Sequence, residues 1–223
     1  MPLLSSADPL PHAPARVLVA GPSGVGKTHL AAHLGALLDL PHTEIDALYH
    51  GPNWTPRLEF ADDVARFAAT PHWITEWQYP QVMTLLAERA DLLVWLDHPR
   101  RTVLRRVIAR TIRRRFSRTE LWNGNTEGPL WTFLTDRDHI VRWSWRVYGR
   151  YQARVPALLK QPGSAALTIV RLRGQREVDA WLAGPLRGAD PGRPARLTRE
   201  VHESSTATEA TEHGGVPGER AEH

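Results

Sequence analysis

Cysteine is absent from the 223 residues, which excludes disulfide frameworks, thiolate zinc centres and a thiol nucleophile. Long apolar runs are missing too, and no stretch approaches the ~20 residues that a membrane-spanning helix needs. The opening segment, MPLLSSADPLPHAPAR, has no basic region ahead of its apolar residues, and its prolines interrupt them. That argues against a signal peptide and for a cytoplasmic protein. Lysine is almost as scarce as cysteine. The formal net charge of +4 and the sequence pI near 9.9 rest on arginine, with lysine only at Lys27 and Lys160. A chain that otherwise uses arginine keeps a lysine at position 27, and the surrounding residues give that choice a meaning. The histidines are not read as metal ligands.

What is present is an alternation of strands and helices. Residues 1–14, rich in proline and serine, read as a disordered arm. Arg16–Ala20, RVLVA, is a β-branched and aliphatic run between proline and glycine, as in a strand buried on both faces. Lys27–Leu38 places Leu30, Ala31, Leu34, Leu37 and Leu38 at helical spacing, with Pro41 just beyond as a stop. Further strands are expected at Thr43–Asp46, Trp73–Trp77, Leu92–Leu96 and Leu167–Leu172. Helices are expected over 57–69, 80–89, 100–115, 138–159 and 175–183. Residues 116–137, with NGN and EGP and no steady period, read as a lid. From 186 to 223 the composition turns to proline, glycine, serine, threonine and charge, which predicts a disordered tail. One α/β domain over 15–185 follows, with a parallel sheet and right-handed crossovers.

Between the first strand and the first helix lies GPSGVGKT, Gly21–Thr28, which matches GxxxxGK[ST] with Gly21, Gly26, Lys27 and Thr28 in the fixed positions. Gly21, Pro22, Ser23, Gly24, Val25, Gly26, Lys27 and Thr28 therefore form a P-loop. Its backbone amides and the following helix N-terminus surround an anion, Lys27 reaches the β- and γ-phosphates, and the Thr28 hydroxyl ligates Mg²⁺. ATP or GTP with Mg²⁺ is the ligand that this chemistry implies.

Phosphoryl transfer also requires a carboxylate that holds magnesium through water and cations that stabilise the moving charge. At expected strand ends, where ligands of parallel sheets bind, stand Asp46, Glu76 and Asp97. Asp97 precedes His98, Pro99 and a helix and reads as a helix cap, so Glu76 and Asp46 rank above it. The helix from 100 carries Arg101, Arg105, Arg106, Arg110, Arg113, Arg114 and Arg115, most of which read as solvated charges. Arg106 and Arg110 lie one turn apart, placed to clamp nucleotide phosphates. Trp95 reads as core. Trp54, Trp77, Trp122 and Trp131 lie nearer the expected cleft, although packing is the favoured role for each.

These residues together resemble the adenylate-kinase-like P-loop kinases, most closely the bacterial branch labelled topology modulation protein. The resemblance spans Arg16 to Gly184. It rests on GPSGVGKT, IDALYH, WITEWQY, LVWLDHPRRTVLRRVIAR and the tryptophan-rich helix ending in RYQARVPALL. It implies a three-layer α/β/α fold with a five-stranded parallel sheet in the order 2-3-1-4-5 and a helical lid region. It also implies that Glu76 orients magnesium-bound water, that Arg106 packs on the base and Arg110 meets phosphate, and that Asp46 faces the acceptor as general base. That branch commonly has DGNY where this chain has Glu76, Trp77, Gln78 and Tyr79, so a ring fills a glycine site. The leading functional expectation is an ATP-dependent phosphotransferase acting on a nucleotide or another small molecule. The alternative is a nucleotide-binding ATPase or regulator acting on DNA or a protein partner, which salt-sensitive DNA binding that survives Lys27→Ala would reveal.

Overall fold

In the computed structural model, residues 2–117, 140–160 and 166–189 are described, with side chains over 2–110, 148–160 and 166–189. Most of the expected lid, with Trp122 and Trp131, and the tail from 190 onward lie outside the described residues.

The strands are β1 (Leu3–Leu4), β2 (Arg16–Ala20), β3 (Trp73–Glu76), β4 (Leu92–Leu96) and β5 (Thr168–Leu172). They form one sheet in the order β1-β5-β4-β2-β3, with every neighbouring pair parallel. Around it lie α1 (Lys27–Leu38), α2 (Ile45–Tyr49), α3 (Phe60–Ala68), α4 (Pro80–Arg89), α5 (Arg100–Ser117), α6 (Ile140–Leu158), α7 (Gln175–Ala183) and α8 (Pro185–Gly188).

The alternation along RVLVA separates the two cores. Val17 and Val19 join Ile74, Val94 and Val170 on one face, where Leu30 and Leu34 of α1, Val103 and Val107 of α5 and Trp181 of α7 cover them. Leu18 and Ala20 join Trp73, Leu93 and Ile169 on the other, beneath Ile45, Phe60, Leu86 and Val155 of α2, α3, α4 and α6. A central strand buried on both faces in this way is typical of parallel sheets, and each fully buried Val or Leu stabilises by about 1.5–3 kcal/mol.

The three-layer α/β/α class is as expected, but the strand order needs correction at both edges. Thr43–Asp46 is not a strand. Residues 41–43 keep one bridge, His42 to Ile74, through Ile74 N–H to the Pro41 carbonyl at 3.0 Å and Thr43 N–H to the Ile74 carbonyl at 3.0 Å. The next amide that a longer strand would use, that of Ile45, is instead bonded to the Glu76 carboxylate at 3.1 Å, and the chain turns into α2. At the opposite edge the segment read as a disordered arm supplies β1, whose Leu3 and Leu4 pair with Ile169 and Val170. The fold also runs past the expected boundary at 185: α8 seats Leu186 in the core beside α7, three residues before the described segment ends at 189.

Candidate active site

The site lies at the C-terminal ends of β2, β3 and β4, where the central strand has a neighbour on each side. Gly21, Gly24 and Gly26 take φ of 148°, 81° and 111°, values that an L side chain rarely adopts. Two of them are also sterically closed. A Cβ on Gly21 would stand 2.9 Å from the Leu96 carbonyl oxygen, and one on Gly24 would stand 2.2 Å from Val107 Cγ2. Within the loop Val25 N–H donates to the Pro22 carbonyl at 3.2 Å, and α1 begins as Leu30 N–H reaches the Gly26 carbonyl at 3.0 Å. No side chain caps α1, so the anion-binding capacity of its first turn is not consumed internally.

Lys27 is only 9% exposed, and its Nζ donates to the Pro22 carbonyl at 3.4 Å. Burial lowers its pKa, Asp46 and Glu76 oppose that, and Arg110 adds to the lowering. One ammonium thus brings into electrostatic reach three of the residues singled out from the sequence, carried by α2, β3 and α5. A desolvated cation in a ring of left-handed glycines is stabilised by a multiply charged anion.

Glu76 ends β3 and is 1% exposed. Its Oε2 accepts the Ile45 amide, while Oε1 stands 3.6 Å from His42 Nε2, beyond hydrogen-bond distance, and neither of those two atoms has another partner among the described residues. Burial pushes the Glu76 carboxyl up, but His42, the Ile45 amide and the Thr28 hydroxyl outweigh it and hold it below the ordinary carboxylate value. The result is a buried anion whose Oε1 makes no close hydrogen bond, beside the threonine of the P-loop. That donor set fits a magnesium ion held by a hydroxyl and, through water, by a carboxylate.

Asp46, in the first turn of α2, lies in a separate network. Its Oδ1 accepts from Gln78 Nε2 at 2.5 Å and from Tyr79 Oη at 2.5 Å, and Tyr79 Oη contacts His50 Nε2 at 3.2 Å. Tyr79 takes φ of 65° to reach this position, a strained conformation for a bulky residue. Its ring stacks on Tyr49 with centroids 4.0 Å apart. Burial, then the Asp46 charge and hydrogen bond, push its phenol pKa well up, so it remains a donor. With a single proton given to Asp46, the phenol oxygen accepts from His50, which places a proton on His50 Nε2.

On α5, Arg101 and Arg105 are exposed and Arg106 and Arg110 half-buried. Arg106 Nη1 donates to the Val25 carbonyl at 2.7 Å and stands 3.4 Å from His98 Nδ1, and its Nη2 donates to Gln175 Oε1 at 2.9 Å. Asp97 is held by Arg171 through Nε at 2.8 Å and Nη2 at 2.5 Å. Trp77 is core, with Nε1 donating to the Met83 carbonyl at 2.9 Å, and Trp95 is buried under the Arg171 guanidinium. Trp54 remains 39% exposed and edge-on to His50. His29 and His33 stand one turn apart and exposed on α1, and no group of three or more potential metal ligands occurs among the described residues.

The sequence assigns no site role to His42, His50, His98, Val107 or Gln175, and it marks Gln78 and Tyr79 only as departures from DGNY. Each belongs to the site through a partner more distant along the chain, and no spacing marks it. The nearest thing to a signal was the tyrosine three residues after Glu76.

No protein-family model matches the sequence, and comparison with curated proteins finds no match. Among solved structures the chain is similar to a gluconokinase from Sinorhizobium meliloti 1021, at 18% identity and a TM-score of 0.46, over 80% of this chain and 95% of that one. It is also similar to a shikimate kinase from Bacteroides thetaiotaomicron, at 12% identity and a TM-score of 0.46, over 77% and 96%. A sugar kinase from Janibacter sp. HTCC2649 overlaps at 20% identity and a TM-score of 0.39, over 78% and 96%.

Proposed function

We propose that this chain is an ATP- or GTP-dependent phosphotransferase that moves the terminal phosphoryl group to a hydroxyl of a nucleotide or another small molecule. The observation that carries the reading is the burial of Lys27 within a loop of left-handed glycines, with Asp46 and Glu76 both acting on its ammonium. Loop amides and Lys27 bind the β- and γ-phosphates. Thr28 and Glu76 are the residues that would hold magnesium. When bound, magnesium neutralises phosphate charge and orients the group to be transferred.

The remaining work falls to the chain itself. Asp46 is oriented by two donors on Oδ1, which leaves Oδ2 for the acceptor hydroxyl. As the acceptor oxygen bonds to the γ-phosphorus and the bridging oxygen departs with the nucleoside diphosphate, the hydroxyl proton passes to Asp46. Lys27 and Arg110 offset charge on the moving group, and the burial of Lys27 makes its charge worth more than it would be in water.

Coupled measurement of nucleoside diphosphate release across a panel of small hydroxyl acceptors tests the reading. At least one acceptor should raise turnover above the water background, and Lys27→Ala should weaken nucleotide binding by roughly ten- to a hundred-fold, the worth of a charge-assisted contact. No stimulation by any acceptor rules out the phosphotransferase; no nucleotide binding rules out the P-loop reading as well.

A further inference from the structure

Arg106 sits on α5, where the resemblance assigns it to the nucleotide base. Its guanidinium is committed elsewhere. One nitrogen donates to the Val25 carbonyl at 2.7 Å in the middle of the P-loop, and the other donates to Gln175 at the start of α7 at 2.9 Å. A Cβ on Gly26 would stand 3.6 Å from that first nitrogen, so the guanidinium lies directly against the turn that starts α1. One residue further on, Val107 occupies the space a side chain at Gly24 would need. Successive residues of α5 thus back successive parts of the loop, one through a hydrogen bond and one through packing.

His98 completes the arrangement from the end of β4. It is 1% exposed. Burial, with the Arg106 charge, holds its pKa below the ordinary value, with Asp97 and Glu177 pulling the other way. It is therefore neutral at physiological pH. Because Arg106 can only donate, His98 Nδ1 accepts and its proton lies on Nε2. Gln175 is oriented in turn, its Nε2 donating to Asp179 Oδ1 at 2.9 Å within α7. Three separate elements hold one guanidinium against one loop carbonyl.

We infer that Arg106 is a positioning residue for the phosphate cradle, fixing the Val25 carbonyl so that the neighbouring amides point at the ligand, and that Gln175 acts through it. The inference rests on the nucleotide-binding reading above and adds to it a residue outside the motif and the way that residue works.

A base-free probe separates this role from a contact with the base. Affinities for Mg-ATP and for magnesium tripolyphosphate are measured by calorimetry on wild type, Arg106→Ala, Arg106→Lys and Gln175→Ala, with ligand-free melting temperatures alongside. Arg106→Ala should weaken both ligands by a similar factor, roughly ten-fold or more, as expected for a charge-assisted bond. Arg106→Lys, which can still donate to one carbonyl, should recover part of that loss. Gln175→Ala should melt as wild type does, yet shift the Val25 and Gly26 amide resonances and weaken both ligands several-fold. Unchanged tripolyphosphate affinity in Arg106→Ala overturns the inference, whatever happens to ATP. If Arg106→Ala does not fold, the decision passes to Gln175→Ala: unmoved loop resonances overturn the inference, and moved ones uphold it. Wild type that binds neither ligand overturns the underlying reading instead.

Discussion

Gly24 occupies a variable position of GxxxxGK[ST], so the motif tolerates any residue there, whereas the fold does not. Its φ of 81° and the 2.2 Å approach of a built Cβ to Val107 Cγ2 act independently. A left-handed conformation costs a non-glycine residue about 1–2 kcal/mol. The contact must open by more than an ångström against a fully buried valine, an overpacking that costs about 1–3 kcal/mol. Gly24→Ala should therefore destabilise by roughly 2–5 kcal/mol. For a chain of this size that lowers the melting temperature by about 4–20 °C, at ~2–4 °C per kcal/mol. The loop shift should also weaken Mg-ATP by at least about ten-fold, because the amides around the phosphate move with it. Val107→Ala alone should cost about 2 kcal/mol through lost methyl burial and the cavity left behind. In the double variant the new methyl enters that cavity, so the two changes should couple favourably by about 1–3 kcal/mol, while the backbone cost persists. Differential scanning calorimetry on the four proteins of this cycle measures the coupling directly. A single variant that melts with wild type, or a coupling below about 0.5 kcal/mol, refutes the packing of α5 against the loop.

Acid should destabilise the protein in two stages. His98 titrates below 6.5 when folded, so the unfolded chain binds its proton first, and stability falls as pH drops from about 6.5 to the folded value. Glu76 titrates below 4.5 when folded, so its contribution is present above 4.5 and is lost as pH falls through its folded value. Urea midpoints measured from pH 7.5 down to about 2.5 should show both stages, and His98→Leu should flatten only the first; an unchanged slope between pH 6.5 and 5 contradicts the burial argument. Tyr79→Phe removes the phenol donor from Asp46 while leaving the P-loop intact. It should lower acceptor-dependent kcat by roughly ten-fold or more with Mg-ATP affinity unchanged, and a loss confined to nucleotide affinity would place Tyr79 on the wrong side of the site.

Local patterns carried most of the secondary structure. The first helix, the strand at Leu92–Leu96 and the helices at Pro80–Arg89 and Gln175–Ala183 fall where periodicity, proline and glycine place them. The failures arose where a tertiary partner overrode the local pattern. TEID has a weak strand signal, and the Glu76 carboxylate takes the Ile45 amide that a strand would need. The arm at Leu3–Leu4 has almost no signal of its own. It becomes a strand because β5 offers an edge with unpaired backbone groups.

The sequence by itself determined the glycine loop and the helix it starts, because both are local: glycines at Gly21 and Gly26 permit the left-handed backbone, and Lys27 and Thr28 follow at once on the helix they begin. It also determined the parallel sheet, since a run buried on both faces needs helices above and below. Only the tertiary structure decided what meets the motif. Asp46 joins Gln78 and Tyr79 across 32 and 33 residues, and Arg106 reaches Val25 across 81. Contacts of that span depend on strand order and helix packing, which no short-range spacing encodes, and they set which carboxylate is oriented, which arginine braces the loop and which glycine cannot be replaced.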